Sequence, residues 1–252
     1  MTEFRMGSVP YLNAAPLTHG LEGDCRFLAP SILAQELHAG RLDAALVSVT
    51  EVLFHDAYDV LDNYGIACDG EVYSVFLAHS EPLERIQTLY LDPSSCTSVN
   101  LVRILLAARG IHPQFLPLPS HLPADIPANA VLIGNPAIDF RRTHPRHQIW
   151  DLGAAWKEWT GLPFVFAVWA LARRSGLEPL RLSLRSAAAS GLAALPELVA
   201  SRHEFDAEFR ASYLGGFIRY RLGEPEKAAI ARFALELTRV TGRRTYPVSF
   251  LV

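Results

Sequence analysis

Small polar side chains stand where apolar segments of this 252-residue chain end, and they are the residues best suited to hold a ligand. Asn13 follows the apolar segment 4–9 and lies between Pro10 and Pro16, which favour an extended turn over a helix. An amide donor held in such a turn can orient a polar ligand. The alternative is an ordinary turn residue that bonds its own backbone. Asn13 is therefore a candidate site residue, and the pattern alone leaves both interpretations open.

A turn rich in serine and threonine precedes the apolar helix predicted for residues 99–109. Hydroxyl groups and the free N–H groups of a helix start can bind a carboxylate or phosphate without arginine. A plain helix cap explains the same pattern equally well. The candidate ligand-binding residues of this turn are Ser95, Thr97 and Ser98.

The segment 40–53 also delivers a polar group to a strand end. Residues 32–38 predict a helix that stops at Gly40, and residues 44–49 predict a buried strand that carries Ser48. With the strand at residues 4–9, these elements form a β-α-β unit. Tyr11 lies in the turn after the first strand of this unit, so Tyr11 and Ser48 are expected to line a common cleft.

Two further polar residues lie at predicted strand ends. Ser74 is near the start of the strand predicted at residues 71–79, where its hydroxyl is expected to face a cleft between lobes; a hydrogen-bonded strand serine is the alternative. Asn135 follows the buried strand 130–134, near the place where open α/β sheets bind ligands. An Asn-Pro pair also marks ordinary turns.

Composition excludes several classes of function. The net charge of −3 is spread over the chain without a basic stripe, which argues against nucleic acid as a partner. The three cysteines show no C-x-x-C spacing, and His144 and His147 lack a carboxylate in a metal-binding frame, so no metal site is predicted. A secretion signal and an apolar run long enough to span a bilayer are not apparent, so we expect a cytoplasmic protein without a membrane partner.

The order of the predicted elements indicates two α/β lobes. Residues 1–79 and 170–252 are expected to form a discontinuous first lobe, and residues 80–169 the second. The segments 71–79 and 162–171 are interpreted as the two crossover strands. Three C-terminal helices are predicted at residues 182–201, 206–222 and 224–242. This is the architecture of the type II periplasmic binding proteins, whose lobes close over a ligand in the cleft between them.

Several segments resemble a known family over nearly the whole chain. They are Val9-Pro-Tyr-Leu-Asn-Ala-Ala-Pro-Leu17, Gly40-Arg-Leu-Asp-Ala-Ala-Leu-Val-Ser48, Ser74-Val, Asp151-Leu-Gly153, Thr160-Gly-Leu-Pro-Phe-Val-Phe-Ala-Val-Trp169, Tyr213-Leu and Tyr220-Arg-Leu-Gly223. In combination they are similar to the chorismate dehydratases of menaquinone biosynthesis. That family uses the type II binding-protein fold.

The resemblance implies an enzyme of the futalosine route that converts chorismate to 3-[(1-carboxyvinyl)oxy]benzoate with loss of water and without a cofactor. It implies that Asn13 and Ser74 are active-site residues and that Thr97 and Ser98 bind substrate, a small dicarboxylate. It also implies that the substrate's own side-chain carboxylate removes the proton. Relatives commonly carry Ile-Gly-Asp where this chain has Ile133-Gly134-Asn135, which leaves the role of Asn135 open.

Two alternatives remain at this stage. The sister enzyme of the same pathway makes 1,4-dihydroxy-6-naphthoate on the same fold, but its first turn reads more like Pro-Asn-Asp-Thr-Phe than Pro10-Tyr-Leu-Asn-Ala14. A non-catalytic module that binds a small carboxylate would also use this fold, because fold alone does not establish catalysis. The expected oligomeric state is a monomer or a homodimer.

Overall fold

Two separate β-sheets organise the chain. A computed structural model describes residues 4–120, 122 and 125–251. The strands are β1 (Met6–Ser8), β2 (Cys25–Phe27), β3 (Ala44–Ser48), β4 (Tyr58–Cys68), β5 (Val75–His79), β6 (Thr88–Leu91), β7 (Gln114–Pro117), β8 (Ala130–Ile133), β9 (Gln148–Asp151), β10 (Phe164–Ala172), β11 (Arg219–Leu222) and β12 (Ser249–Leu251). The helices are α1 (Pro30–His38), α2 (Val49–Phe54), α3 (Cys96–Ala108), α4 (Gly134–Thr143), α5 (Leu152–Thr160), α6 (Glu178–Ala193), α7 (Leu195–Ser201), α8 (Ala207–Ser212) and α9 (Glu224–Thr241).

The first sheet has the strand order β11-β4-β10-β3-β1-β2, and β12 also pairs with β4. Strand β1 runs parallel to β2 and β3, whereas β10 runs antiparallel to β3 and β4. Strands β3 and β10 are almost continuously apolar and buried, as expected for strands covered on both faces. The carboxyl end of β3 therefore brings Ser48 to the edge of a rigid sheet.

The second sheet has the order β7-β6-β8-β5-β9. Strands β6, β7 and β8 are parallel neighbours, and β5 is antiparallel to both β8 and β9. The carboxyl end of β6 leads through a polar turn into α3, and the carboxyl end of β8 leads directly into α4. Helix starts that follow strand ends are the usual ligand-facing positions of an open α/β sheet.

Sheet membership changes the expected lobe boundaries. The strand that we predict as the outgoing crossover, β5, pairs only within the second sheet, and the returning strand β10 pairs only within the first. The chain thus passes between lobes through two short connections, residues 69–74 and 161–163, rather than at residues 79 and 169. Hydrogen-bond pairing, which the residue pattern does not reveal, decides to which lobe each strand belongs.

Other elements differ from the sequence predictions. The predicted helix 206–222 is instead the short helix α8, a π-helical turn at Tyr213–Phe217 and the strand β11. Two glycines, Gly215 and Gly216, weaken a helix here, and β11 alternates exposed and buried residues as an edge strand does. Helix α4 begins at Gly134, so the Asn135-Pro136 pair lies in the first turn of a helix and not in an ordinary turn. No helix of the described part is long and apolar enough to cross a membrane.

Candidate active site

A cavity lies between the two sheets, and residues from both lobes line it. Its volume is about 80 Å³, well below the roughly 300 Å³ of a typical ligand pocket. The lining residues are Val9, Tyr11, Asn13, Pro30, Leu46, Ser48, Ile66, Val72, Val75, Ser95, Thr97, Ser98, Ile133, Gly134, Phe166 and Ala167.

The start of α3 contributes hydroxyl groups to this cavity. The Ser95 hydroxyl caps the helix by accepting a hydrogen bond from the Ser98 backbone N–H at 3.3 Å. Thr97 reaches the first lobe, where its Oγ1 contacts the Ser48 hydroxyl, lies 3.1 Å from Thr50 Oγ1 and accepts from the Thr50 N–H at 3.3 Å. These hydroxyls join the lobes, and they stand where the N–H groups of a 13-residue helix begin.

The turn after β1 forms the opposite wall. Residues Leu12–Leu17 fold into a 3-10 helix that carries Asn13 and contains Pro16, so the extended turn predicted for this segment is wrong. The Tyr11 ring packs on Gly134, which has a φ of +64° and whose added Cβ would lie 3.0 Å from that ring. Only a glycine allows both this backbone conformation and this contact. Asn135 holds the same turn from the second lobe, because its Oδ1 accepts from the Leu12 N–H at 3.1 Å.

Three polar side chains meet behind this wall. Ser74 is fully buried, and its Oγ accepts a hydrogen bond from the phenol of Tyr213 at 2.7 Å. The Asn13 carboxamide interacts with the same phenol oxygen. Its own Oδ1 is buried and has no hydrogen-bond partner within the described part of the chain. Burial raises the pKa of Tyr213 above its usual value, against the opposing effect of the hydrogen bonds to Ser74 and Asn13.

A buried carboxylate fixes the connection that leads to Ser74. Asp151 accepts from the N–H groups of Val72 at 3.1 Å, of Tyr73 at 2.8 Å and of Ala154 at 3.0 Å. Burial raises the pKa of Asp151, although these three N–H groups act in the opposite direction. Tyr73 has a φ of +67°, an uncommon value for a tyrosine, and the Asp151 contacts hold it there.

The described lining of the cavity is electrically neutral. It offers hydroxyl, amide and backbone groups. Among the described lining residues, Tyr11 has the one titratable side chain. Burial raises the pKa of Tyr11, the nearby Asp92 adds to that rise and a hydrogen bond with Ser94 opposes it. The cavity can therefore orient polar groups and stabilise anions through neutral donors.

Most of the residues predicted for the site come together here. Those that line the cavity are Tyr11, Asn13, Ser48, Ser95, Thr97 and Ser98. Ser74 does not line it, since its hydroxyl faces Tyr213, and the Asn135 oxygen is bonded to the Leu12 backbone. The sequence does not single out Tyr213 as a site residue, although the segment Tyr213-Leu is part of the family resemblance.

One group of side chains in the described part of the chain has the composition of a metal site. Candidate ligand atoms of His38, Glu51 and His55 lie within 4.8 Å of one another. They stand at the ends of α1 and α2, outside the cavity lining, and Glu51 contacts both His55 and the phenol of Tyr58.

Comparison with known structures shows which fold the chain has. A protein of Archaeoglobus fulgidus superimposes with a TM-score of 0.73 at 15% identity, covering 96% of this chain and 98% of that one. The periplasmic aliphatic sulphonate binding protein of Escherichia coli superimposes with a TM-score of 0.58 at 13% identity, covering 100% and 95%. The chain has the fold of the type II periplasmic binding proteins, as the sequence predicts.

Comparison of sequences identifies the family. The chorismate dehydratase of Thermus thermophilus is 33% identical over 98% of this chain and 100% of its own length. The chorismate dehydratase of Campylobacter jejuni is 28% identical over 88% of both chains. The sequence profile of a family described as menaquinone biosynthesis matches residues 4–238. The chain therefore belongs to this menaquinone-biosynthesis family.

Proposed function

We propose that this protein is a chorismate dehydratase, which converts chorismate to 3-[(1-carboxyvinyl)oxy]benzoate and water in the futalosine route to menaquinone. A proton leaves the ring carbon that bears the enolpyruvyl ether, and hydroxide leaves the neighbouring carbon. The ring becomes aromatic, so the reaction itself provides the driving force. The enzyme's task is to hold the diacid and to orient the two departing groups.

The observation that carries this proposal is the neutral, hydroxyl-lined cavity at the start of α3. Chorismate has two carboxylates, and a helix start with free N–H groups favours an anion without a positively charged side chain. Thr97 and Ser98 belong to this start, and Ser48 faces them from the first lobe. These donors can receive one carboxylate of the substrate.

The same lining supports a base that belongs to the substrate. The described lining residues include no aspartate, glutamate, histidine or lysine that would accept the ring proton. The raised pKa of Tyr11 keeps its phenol neutral near neutral pH, so it is a poor base there. The enolpyruvyl carboxylate lies beside the ring proton in the substrate and can remove it. The reaction then needs no cofactor.

The proposal also includes the cellular setting. Cys25, Cys68 and Cys96 are all free thiols, which favours a reducing compartment such as the cytoplasm. The working form would be a monomer or a homodimer.

The direct test is to incubate the purified protein with chorismate alone and to follow the loss of diene absorbance and the mass of the product. We expect the aromatic acid that is lighter by one water. Asn13→Ala should melt within a few degrees of the wild type and lose turnover about 100-fold, because an oriented polar group at the reacting centre has an effect of this size. Saturable binding without turnover would instead identify a carboxylate-binding protein. No interaction would direct the search to the substrate of the naphthoate synthase.

A further inference from the structure

Tyr213 is a buried tyrosine whose phenol reaches a residue 139 positions away in the chain. Its side chain is 1% exposed, and its hydroxyl donates to Ser74 Oγ at 2.7 Å. The ring stacks on Phe209 with a centroid distance of 5.6 Å and an interplanar angle of 10°. Tyr213 also opens the π-helical turn, a distortion that is frequent at functional sites. Packing and hydrogen bonding together fix this phenol in one position.

A phenol has one proton to donate, and Tyr213 gives it to Ser74. The phenol oxygen can then only accept further hydrogen bonds. The Asn13 carboxamide also interacts with this phenol, and its Oδ1 has no hydrogen-bond partner among the described residues, so the amide oxygen is not the atom that meets the phenol. The NH₂ group of Asn13 therefore faces Tyr213.

This orientation decides which atom of Asn13 is left for a ligand. The carboxamide oxygen is buried and has no partner in the part of the chain that the structure describes, while Asn13 itself lines the cavity. A buried acceptor without a donor is costly, and such a group calls for an explanation. A hydroxyl group of a bound ligand would supply the missing donor.

We propose that Tyr213 is a positioning residue: by donating its phenol proton to Ser74, it orients the Asn13 carboxamide so that the oxygen accepts a hydrogen bond from a ligand hydroxyl. The inference rests on the proposed function, which names the ligand. Chorismate has a single ring hydroxyl, the group that departs. Asn13 would thus hold the leaving group, as an acceptor rather than as the donor that the sequence predicts.

The first test compares two buried tyrosines. Tyr213→Phe removes the phenol oxygen and keeps the ring that stacks on Phe209. We expect kcat for chorismate to fall about 10- to 100-fold with KM changed less than about twofold, because the amide is free to flip. Tyr220→Phe is the matched control: Tyr220 is 5% exposed, and its phenol has no hydrogen-bond partner among the described residues. Its kcat should stay within about twofold of the wild type. Equal losses in both variants would overturn the proposal.

The second test asks whether Tyr213 and Ser74 affect turnover through the same hydrogen bond. Ser74→Ala removes the acceptor of the Tyr213 proton, so the double variant Ser74→Ala/Tyr213→Phe should be no slower than the slower single variant. If the two losses multiply, the residues act independently and the proposal fails.

The third test does not depend on the reaction. In a ¹H–¹⁵N spectrum, the side-chain NH₂ signals of Asn13 are those that disappear in Asn13→Ala. We expect them to shift in Tyr213→Phe and to stay in place in Tyr220→Phe. If Tyr213→Phe does not fold, Ser74→Ala should move them instead. Unmoved signals would overturn the proposed orientation even if chorismate is consumed. Shifted signals in a protein that leaves chorismate intact would support the orientation while the proposed function fails.

Discussion

Helices α3 and α5 of the second lobe begin with the same local device. A side chain at the position before each helix accepts a hydrogen bond from a backbone N–H in the first turn: Ser95 accepts from Ser98, and Asp151 accepts from Ala154. Both side chains are largely buried. The two helix starts nevertheless face different partners.

The difference lies in what else each capping side chain does. Asp151 also accepts from the N–H groups of Val72 and Tyr73, so its carboxylate is used to hold a connection between lobes. Ser95 is neutral and shares its helix start with Thr97 and Ser98, which line the cavity. A helix start is thus open to an anionic ligand where its cap is neutral, and is closed where the protein supplies its own carboxylate.

The largest effect is expected from removing the internal carboxylate. Asp151→Ala leaves three N–H groups without their acceptor in a buried region, at a cost of about 1–3 kcal/mol for each that stays unpaired. We expect the free energy of unfolding to fall by about 4 kcal/mol, measured by urea denaturation.

Asp206→Ala is the matched control for that experiment. Asp206 also caps a helix, accepting from the Phe209 N–H at 2.8 Å, but it is exposed, and it also accepts from the side chain of Arg142 rather than from a second segment of backbone. Its loss should cost about 1 kcal/mol. Equal costs in the two variants would show that Asp151 is only a cap, and the contrast between α5 and α3 would lose its basis.

A smaller effect is expected at the ligand-facing helix. Thr97→Val keeps the shape of the side chain and removes the hydroxyl that contacts Ser48 and Thr50 across the lobes. We expect kcat/KM for chorismate to fall about tenfold, the usual loss for a hydrogen bond to a charged group. Thr143→Val, whose exposed hydroxyl donates to the Asp139 carbonyl, should change kcat/KM less than twofold. Full activity of Thr97→Val would remove this helix start from the site.

The smallest effect concerns pH. Burial raises the pKa of Tyr11, so its phenol stays neutral to a higher pH than a free tyrosine does. No charge on the described lining residues then changes between about pH 6 and about pH 9, and kcat/KM should be flat within about twofold. A rise or fall of kcat/KM with an apparent pKa inside this range would reveal a titrating group that takes part in the reaction. That result would contradict a neutral cavity in which the substrate supplies the base.

The cavity walls were the part of the molecule most accessible to sequence reasoning. The polar turn before α3, the strand end at Ser48 and the proline-bounded turn at Asn13 each combine a local backbone signal with a polar side chain. Such signals are carried by neighbouring residues, so they can be read without knowing the fold.

The residues that hold the cavity walls in place from behind could not be predicted from the sequence in the same way. Tyr213 meets Ser74 only because the C-terminal segment returns to the first lobe, a contact with no local signature. Tyr73, the residue before Ser74, has a positive φ, which a pattern of residue types does not reveal. Strand β4 is interrupted by polar residues, among them Asp62 and Asn63, and escapes the apolar pattern.

In the cavity, Ser48 and Thr97 bond to one another across the two lobes. A substrate oxygen that binds to Ser48 or Thr97 must displace a bond that the protein already makes with itself, and exchanging one bond for another yields less than forming a new one. The contact between the two lobes thus competes with the ligand for the same two hydroxyl groups.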